Sequence, residues 1–209
     1  FMDTGDYVTY AFNMSGGCAI TWFRDVLAKD LAGQGDAYRI LDGEADGKPT
    51  GIIVLPYLAG GGTPYMDGVT PATIAGLRLG TSRGELFRAF LEGEAYEMML
   101  NIECLRAVGI DIQKVVTVGG GSNSKLWMQI RADVFDRPVY LPANKEAGTL
   151  AGAMLCYAAT GAYPSLRAAQ EAMVRYERPF IPDPAEARAY RAHYERYKKC
   201  YRLTKELFQ

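Results

Sequence analysis

Three consecutive glycines, Gly119-Gly120-Gly121, stand between the β-branched run Val115-Val116-Thr117-Val118 and a segment whose apolar residues recur at helical spacing. A chain passes that abruptly from strand period to helix period only by turning tightly, and glycine permits the backbone angles such a turn needs. The arrangement predicts a strand at 115–118, a turn, and a helix Ser124–Phe135 with Leu126, Trp127, Ile130 and Val134 inward. On one side lies a second helix. Ser82-Arg83-Gly84-Glu85 has capping-box spacing, Leu86, Phe90, Met98, Ile102 and Leu105 keep one face apolar, and Gly109 supplies a stop. On the other side Val139-Tyr140-Leu141 reads as a strand and Gly148–Ala159 as a small-residue helix ending at Gly161. Helix, strand, helix, strand, helix is the pattern of an α/β layer with parallel strands and right-handed crossovers.

The flanks are less regular. Ala19–Leu27 carries Ile20, Phe23, Val26 and Leu27 at helical spacing. Asp30–Lys48 is polar and glycine-bearing, a loop around a short helix at Ala37–Leu41. Gly51–Leu55, closed by Pro56, predicts a buried strand, and Tyr57–Leu79 a long ordered loop of the kind that tends to carry function. The tail, Asp183–Phe208, is a charged helix with Tyr190, Tyr194, Tyr197 and Tyr201 at spacings of four, three and four. Such a stripe predicts packing against the domain rather than a partner-binding face.

Composition narrows the function classes. With 209 residues, 49% hydrophobic, the chain can bury a sizeable core. Its 23 basic and 24 acidic side chains nearly cancel and form no basic block, so neither a nucleic-acid nor a membrane partner is expected. No apolar run approaches the roughly 20 residues of a membrane span, and no leader pattern opens the chain. Cys18, Cys104, Cys156 and Cys200 are scattered, and His193 is the single histidine, which points to plain thiols, no metal site and a cytoplasmic setting. The opening Phe1-Met2 suggests a piece of a longer protein.

The glycine turn can hold a ligand. Backbone N–H groups beside a positive helix terminus attract anions, and without Cβ atoms the backbone can approach a nucleotide closely. A plain strand-to-helix turn accounts for the same glycines. The dinucleotide fingerprint is matched only as Gly119-x-Gly121-x-x-Ser124, with serine where glycine is wanted, and Lys125 lacks the spacing of a P-loop. Asp67 and Asp111 read as turn residues rather than acids or bases of a reaction.

A longer match then emerges. Val115–Gln129, followed by Ala132-Asp133 and Pro138-Val139, resembles the adenosine-binding segment of the FGGY carbohydrate kinases, a family that includes xylulose, glycerol and gluconate kinases. Upstream, Ala72-x-Ile74-x-Gly76-Leu77 with Glu85-Leu86-x-x-Ala89-Phe90-Leu91-Glu92 is similar to the family's carboxy-terminal signature, departing from it at Phe90. Leu55–Gly60, Glu146-Ala147-Gly148 and Gly152-Ala153 resemble neighbouring family segments, so the resemblance runs along essentially the whole chain in order.

The resemblance implies an α/β, actin-like (ribonuclease H-like) ATPase domain, most of the C-terminal domain of a two-domain kinase. Residues 1–161 would form the nucleotide-binding domain, without its first strands, and 162–209 a helical extension packed on it. Ser15–Asp25 is similar to the helix after the family's phosphate hairpin, which puts Gly17 near the phosphates and Thr21 near the nucleotide. Gly119, Gly120, Gly121 and Ser124 complete the implied nucleotide site; glycerol kinases carry glutamine at the Thr21 position and asparagine at the Ser124 position. The family's base aspartate and phosphate hairpin are expected upstream of Phe1, so no catalytic and no metal-binding residue is assigned within the chain. The implied cofactors are ATP and Mg²⁺. The implied partners are a small sugar or polyol, the N-terminal domain of the same protein and, as an open expectation, a second copy in a homodimer. The expected activity is ATP-dependent phosphorylation of a sugar or polyol hydroxyl, xylulose kinase-like, although Gly60-Gly61-Gly62-Thr63-Pro64 departs from the Gly-Glu-Arg-Thr-Pro of many xylulose kinases. The alternative is a non-catalytic actin-like nucleotide-binding module. The 209-residue chain alone is expected to be inactive.

Overall fold

In the computed structural model, residues 7–45 and 47–209 are described; the opening at Phe1 and one position of the 30–48 loop, Asp46, lie outside them. The central element is α3 (Arg83–Ala107), around which pack α1 (Gly16–Leu27), α2 (Ala37–Glu44), β1 (Ile53–Leu55), α4 (Lys125–Phe135) and α7 (Pro184–Phe208). The expected capping box closes reciprocally at the start of α3. Glu85 N–H donates to Ser82 Oγ (3.1 Å), and Ser82 N–H donates to Glu85 Oε2 (2.8 Å). From Phe87 to Glu97 the helix is buried on every side, so the expected single apolar face is a correction: Phe90 and Ile102 are core, whereas Leu86, Met98 and Leu105 are half-buried. The reason is tertiary. A helix enclosed by five neighbours has no solvent face along that stretch, and its polar residues are buried with the rest. Gly93 allows β1 to cross closely, since a Cβ there would lie 2.4 Å from the Val54 carbonyl oxygen.

Several boundaries differ from the sequence expectation. α1 begins three residues before Ala19, and α2 runs three residues past Leu41. The stretch 57–79 is not loop throughout: β2 (Thr73–Ala75) pairs antiparallel with β1, Val54 opposite Ile74. Three residues are too few to display an alternating pattern. The strand after α3 is also shorter than 115–118. β3 (Val115–Val116) runs parallel to β4 (Val139–Tyr140), with Thr117 N–H donating to the Tyr140 carbonyl (2.9 Å) as the last rung. The parallel pairing itself is as expected. On its other side β4 meets Phe180, through a reciprocal pair of backbone hydrogen bonds at Val139. That bridge carries no sequence signal, and α6 (Leu166–Met173) is not among the expected elements although Ser165 caps it by accepting from Ala168 N–H (3.1 Å). α5 (Ala147–Ala159) matches expectation within a residue and contacts α6.

α7 packs as its tyrosine stripe predicts. Tyr190, Tyr194, Tyr197 and Tyr201 are buried in the same core as α1, α3 and β1. Their hydroxyls explain why the stripe is tyrosine and not phenylalanine. Tyr190 donates to Glu92 (3.1 Å), Tyr194 to Glu103 (2.8 Å), Tyr201 to Asp67 (3.0 Å), and Tyr197 to Glu97. Each ring fills apolar space while its tip satisfies a carboxylate that α3 or the 57–72 segment brings inward. Asp67 is the turn residue expected, accepting from the backbone of Val69 and Thr70 and from the Thr70 hydroxyl. The four cysteines are free thiols, and among the described residues no helix is long and apolar enough to cross a membrane.

Candidate nucleotide cleft

A cleft of about 720 Å³ opens where α1, α2, α3 and the glycine turn converge. Its floor is apolar: Ile20 from α1, Phe87 and Leu91 from α3, and Trp127 from α4, all buried. One wall is the first turn of α1. Ser15 stands before it, but its hydroxyl accepts from Ala59 N–H (3.1 Å) and tethers the helix start to the loop after β1 instead of capping it. The first N–H groups of α1 therefore lack a side-chain acceptor among the described residues and sit at the positive end of the helix dipole, with Gly17 facing the cleft. One turn on, the Thr21 hydroxyl donates to the Gly17 carbonyl (3.3 Å) and lies 3.3 Å from the Tyr38 hydroxyl of α2.

The opposite wall is the glycine turn, and its three glycines differ in purpose. Gly119 adopts φ +89° with ψ −179°, a region closed to residues with a Cβ. Gly121 lies against the indole: a Cβ there would come within 2.7 Å of Trp127 Cζ3. Gly120 has neither constraint, because a Cβ on it would meet nothing within 4 Å. Its bare backbone simply faces the cleft. Gly120 and Gly121 open a 3-10 turn (Gly120–Asn123) that leads into α4 at Lys125, within a residue of the expected start at Ser124. Ser124 caps α4 by accepting from Trp127 N–H (3.0 Å).

Trp127 is fixed from three sides. Its Nε1–H donates to the Leu91 carbonyl (3.1 Å), the turn lies over one edge, and the Arg131 guanidinium sits 4.2 Å from the ring centre. Arg131 is buried, which pulls its pKa down to about 10 against the opposing charge of Glu94. Burial, then the charge of Glu97, pushes Glu94 up to about 8. In the cleft itself, burial raises the Asp42 carboxyl above its ordinary range, and contact with the Ser124 hydroxyl works the other way.

Five of the six implied site residues, Gly17, Thr21, Gly120, Gly121 and Ser124, thus line one cleft, although 103 positions separate Gly17 from Gly120. Gly119 does not line it and acts through the turn. Sequence reasoning missed the α2 wall, Tyr38, Arg39 and Asp42; the one available signal was Tyr38 and Asp42 falling four apart in a short helix. Among the described residues no group of three or more His, Cys, Asp or Glu is placed to hold a metal ion.

The arrangement is that of a known family. The model for the C-terminal domain of the FGGY family of carbohydrate kinases matches residues 1–160, and the chain belongs to this family. Its fold is accordingly the α/β, actin-like ATPase fold of that domain. A xylulose kinase from Bacillus subtilis is 27% identical over 204 residues, covering 96% of this chain and 40% of its own. A glycerol kinase from Clostridium perfringens is 32% identical over 203 residues, covering 95% and 40%. The crystal structure of the xylulose kinase from Rhodospirillum rubrum superposes with a TM-score of 0.80 at 32% identity, covering 92% of this chain and 38% of that one. The chain spans about two-fifths of the length of the relatives it matches.

Proposed function

We propose that this chain is the nucleotide-binding part of an ATP-dependent kinase that phosphorylates a hydroxyl of a small sugar or polyol. The carrying observation is the cleft, in which residues around 17–21 and 120–124 meet over one apolar floor. The dimensions and chemistry suit ATP. The floor of Ile20, Phe87, Leu91 and Trp127 accepts a flat base, the uncapped N-terminus of α1 at Gly17 attracts phosphate, and Gly120 leaves space for close backbone approach. In phosphoryl transfer the attacking hydroxyl displaces the leaving phosphate in line, and the protein contributes chiefly positioning and charge stabilisation. The residues of this cleft would hold and orient the nucleotide and exclude water from its base; the base aspartate and most of the sugar pocket would come from the remainder of the protein. Mg²⁺ would supply charge neutralisation at the phosphates, and we assign none of its ligands to this chain.

Relatives named as xylulose and as glycerol kinases favour a ketose or polyol acceptor. The competing reading, a nucleotide-binding module without catalysis, makes a different forecast in one assay. Full-length protein is offered a panel of ketoses, polyols and sugar acids, and ADP formation is followed. Acceptor-dependent ADP formation with one ketose or polyol is expected. ATP binding without turnover on any member of the panel would favour the module.

A further inference from the structure

The α2 wall holds a half-buried carboxylate that makes no ion pair among the described residues. Asp42 lies on the cleft side of α2, one turn beyond Tyr38, and the wall runs from Gly17 through Thr21 and Tyr38 to Asp42 by successive contacts or single helical turns. Gly17, at the positive end of α1, is the natural seat of the phosphates. A carboxylate beside a triphosphate would be repelled, so a nucleotide lying along this wall brings its base, not its phosphates, to Asp42. Ser124, on the glycine-turn side, lines the same cleft as Asp42. Ser124 Oγ accepts from Trp127 N–H, which leaves its own proton to donate. The Asp42 carboxylate stands on that cleft as an acceptor.

We propose that Asp42 is the residue that reads the base: its carboxylate accepts a hydrogen bond from the 6-amino group of adenine. Guanine carries a carbonyl in place of that amino group, an acceptor that a carboxylate repels.

The assignment rests on the nucleotide cleft proposed above, and titration calorimetry on full-length protein separates the two. ATP, GTP and purine riboside triphosphate, which lacks the 6-amino group, are titrated into the wild type, Asp42→Ala and Asp42→Asn. The wild type is expected to bind ATP at least about tenfold more tightly than purine riboside triphosphate, and more tightly than GTP. Asp42→Ala is expected to weaken ATP to the level of the purine analogue while leaving the analogue's own affinity unchanged. Asp42→Asn, which keeps a carbonyl acceptor, is expected to retain part of the preference. Unchanged ATP affinity in Asp42→Ala, equal losses for both nucleotides, or a wild-type preference for GTP overturns the assignment alone. A wild type that binds no nucleoside triphosphate overturns the cleft reading and the assignment with it.

Discussion

Replacing Trp127 by alanine tests the packing on which the cleft floor depends. Trp127 is 4% exposed, and deleting a buried tryptophan side chain costs about 3–5 kcal/mol through lost transfer energy and the cavity left behind. Two features of this site place the value at the upper end. The indole N–H bond to the Leu91 carbonyl is worth about 1 kcal/mol net. The guanidinium of Arg131 sits over the ring in a desolvated setting, where such contacts reach about 2 kcal/mol, and its Nε has no hydrogen-bond partner among the described residues. These contributions overlap, so we expect about 5 kcal/mol, a large share of the roughly 5–15 kcal/mol that holds a domain together. Urea unfolding followed by far-ultraviolet circular dichroism reads the loss without relying on the fluorophore removed. Trp127→Phe keeps most of the buried area and should cost only about 1–2 kcal/mol, from the N–H bond and the smaller ring. A loss below about 1 kcal/mol for Trp127→Ala would refute the reasoning, since no ring so enclosed could be removed that cheaply.

Two further outcomes follow from the same region. Glu94 is an acid whose folded-state pKa is raised to about 8, chiefly by burial, so its contribution to stability is fully present below its ordinary 4.5 and is lost as pH rises through 8. Glu94→Gln should therefore gain in melting temperature over the wild type as pH rises from 4.5 to 8, and a difference constant from pH 4 to 9 would sink the idea. Gly119→Ala should destabilise by about 1–3 kcal/mol because of its φ of +89°, whereas Gly120→Ala should be nearly neutral; equal losses in chemical unfolding would show that the turn does not impose that angle.

What the sequence made legible was local. The capping box at Ser82, the left-handed stop at Gly109, the serine that opens α4 and the buried Trp127 each follow from residues within a turn of one another. The tyrosine stripe of α7 was legible as packing, but not as a row of hydroxyls bound to Glu92, Glu97, Glu103 and Asp67, because those carboxylates lie about 90 to 135 positions away. β2 and the bridge at Phe180 escaped because so few residues carry no periodicity, and their pairing partners decide them. The site divides in the same way. Its glycines and Ser124 announce themselves by motif, whereas Tyr38 and Asp42 are ordinary polar residues of a short helix until the fold sets them on one cleft with Thr21 and Ser124.

The central claim is that a nucleotide lies against the bare backbone of the glycine turn, and Gly120 is where that claim can be separated from folding. Its Cβ would enter open space, and its backbone is not in the left-handed region, so Gly120→Val should keep the circular dichroism spectrum and unfolding midpoint of the wild type. In a calorimetric titration of full-length protein with ATP, the added side chain should occupy the nucleotide's place and raise the dissociation constant at least about tenfold, which is ~1.4 kcal/mol. An unchanged ATP affinity in a folded Gly120→Val protein would contradict the account.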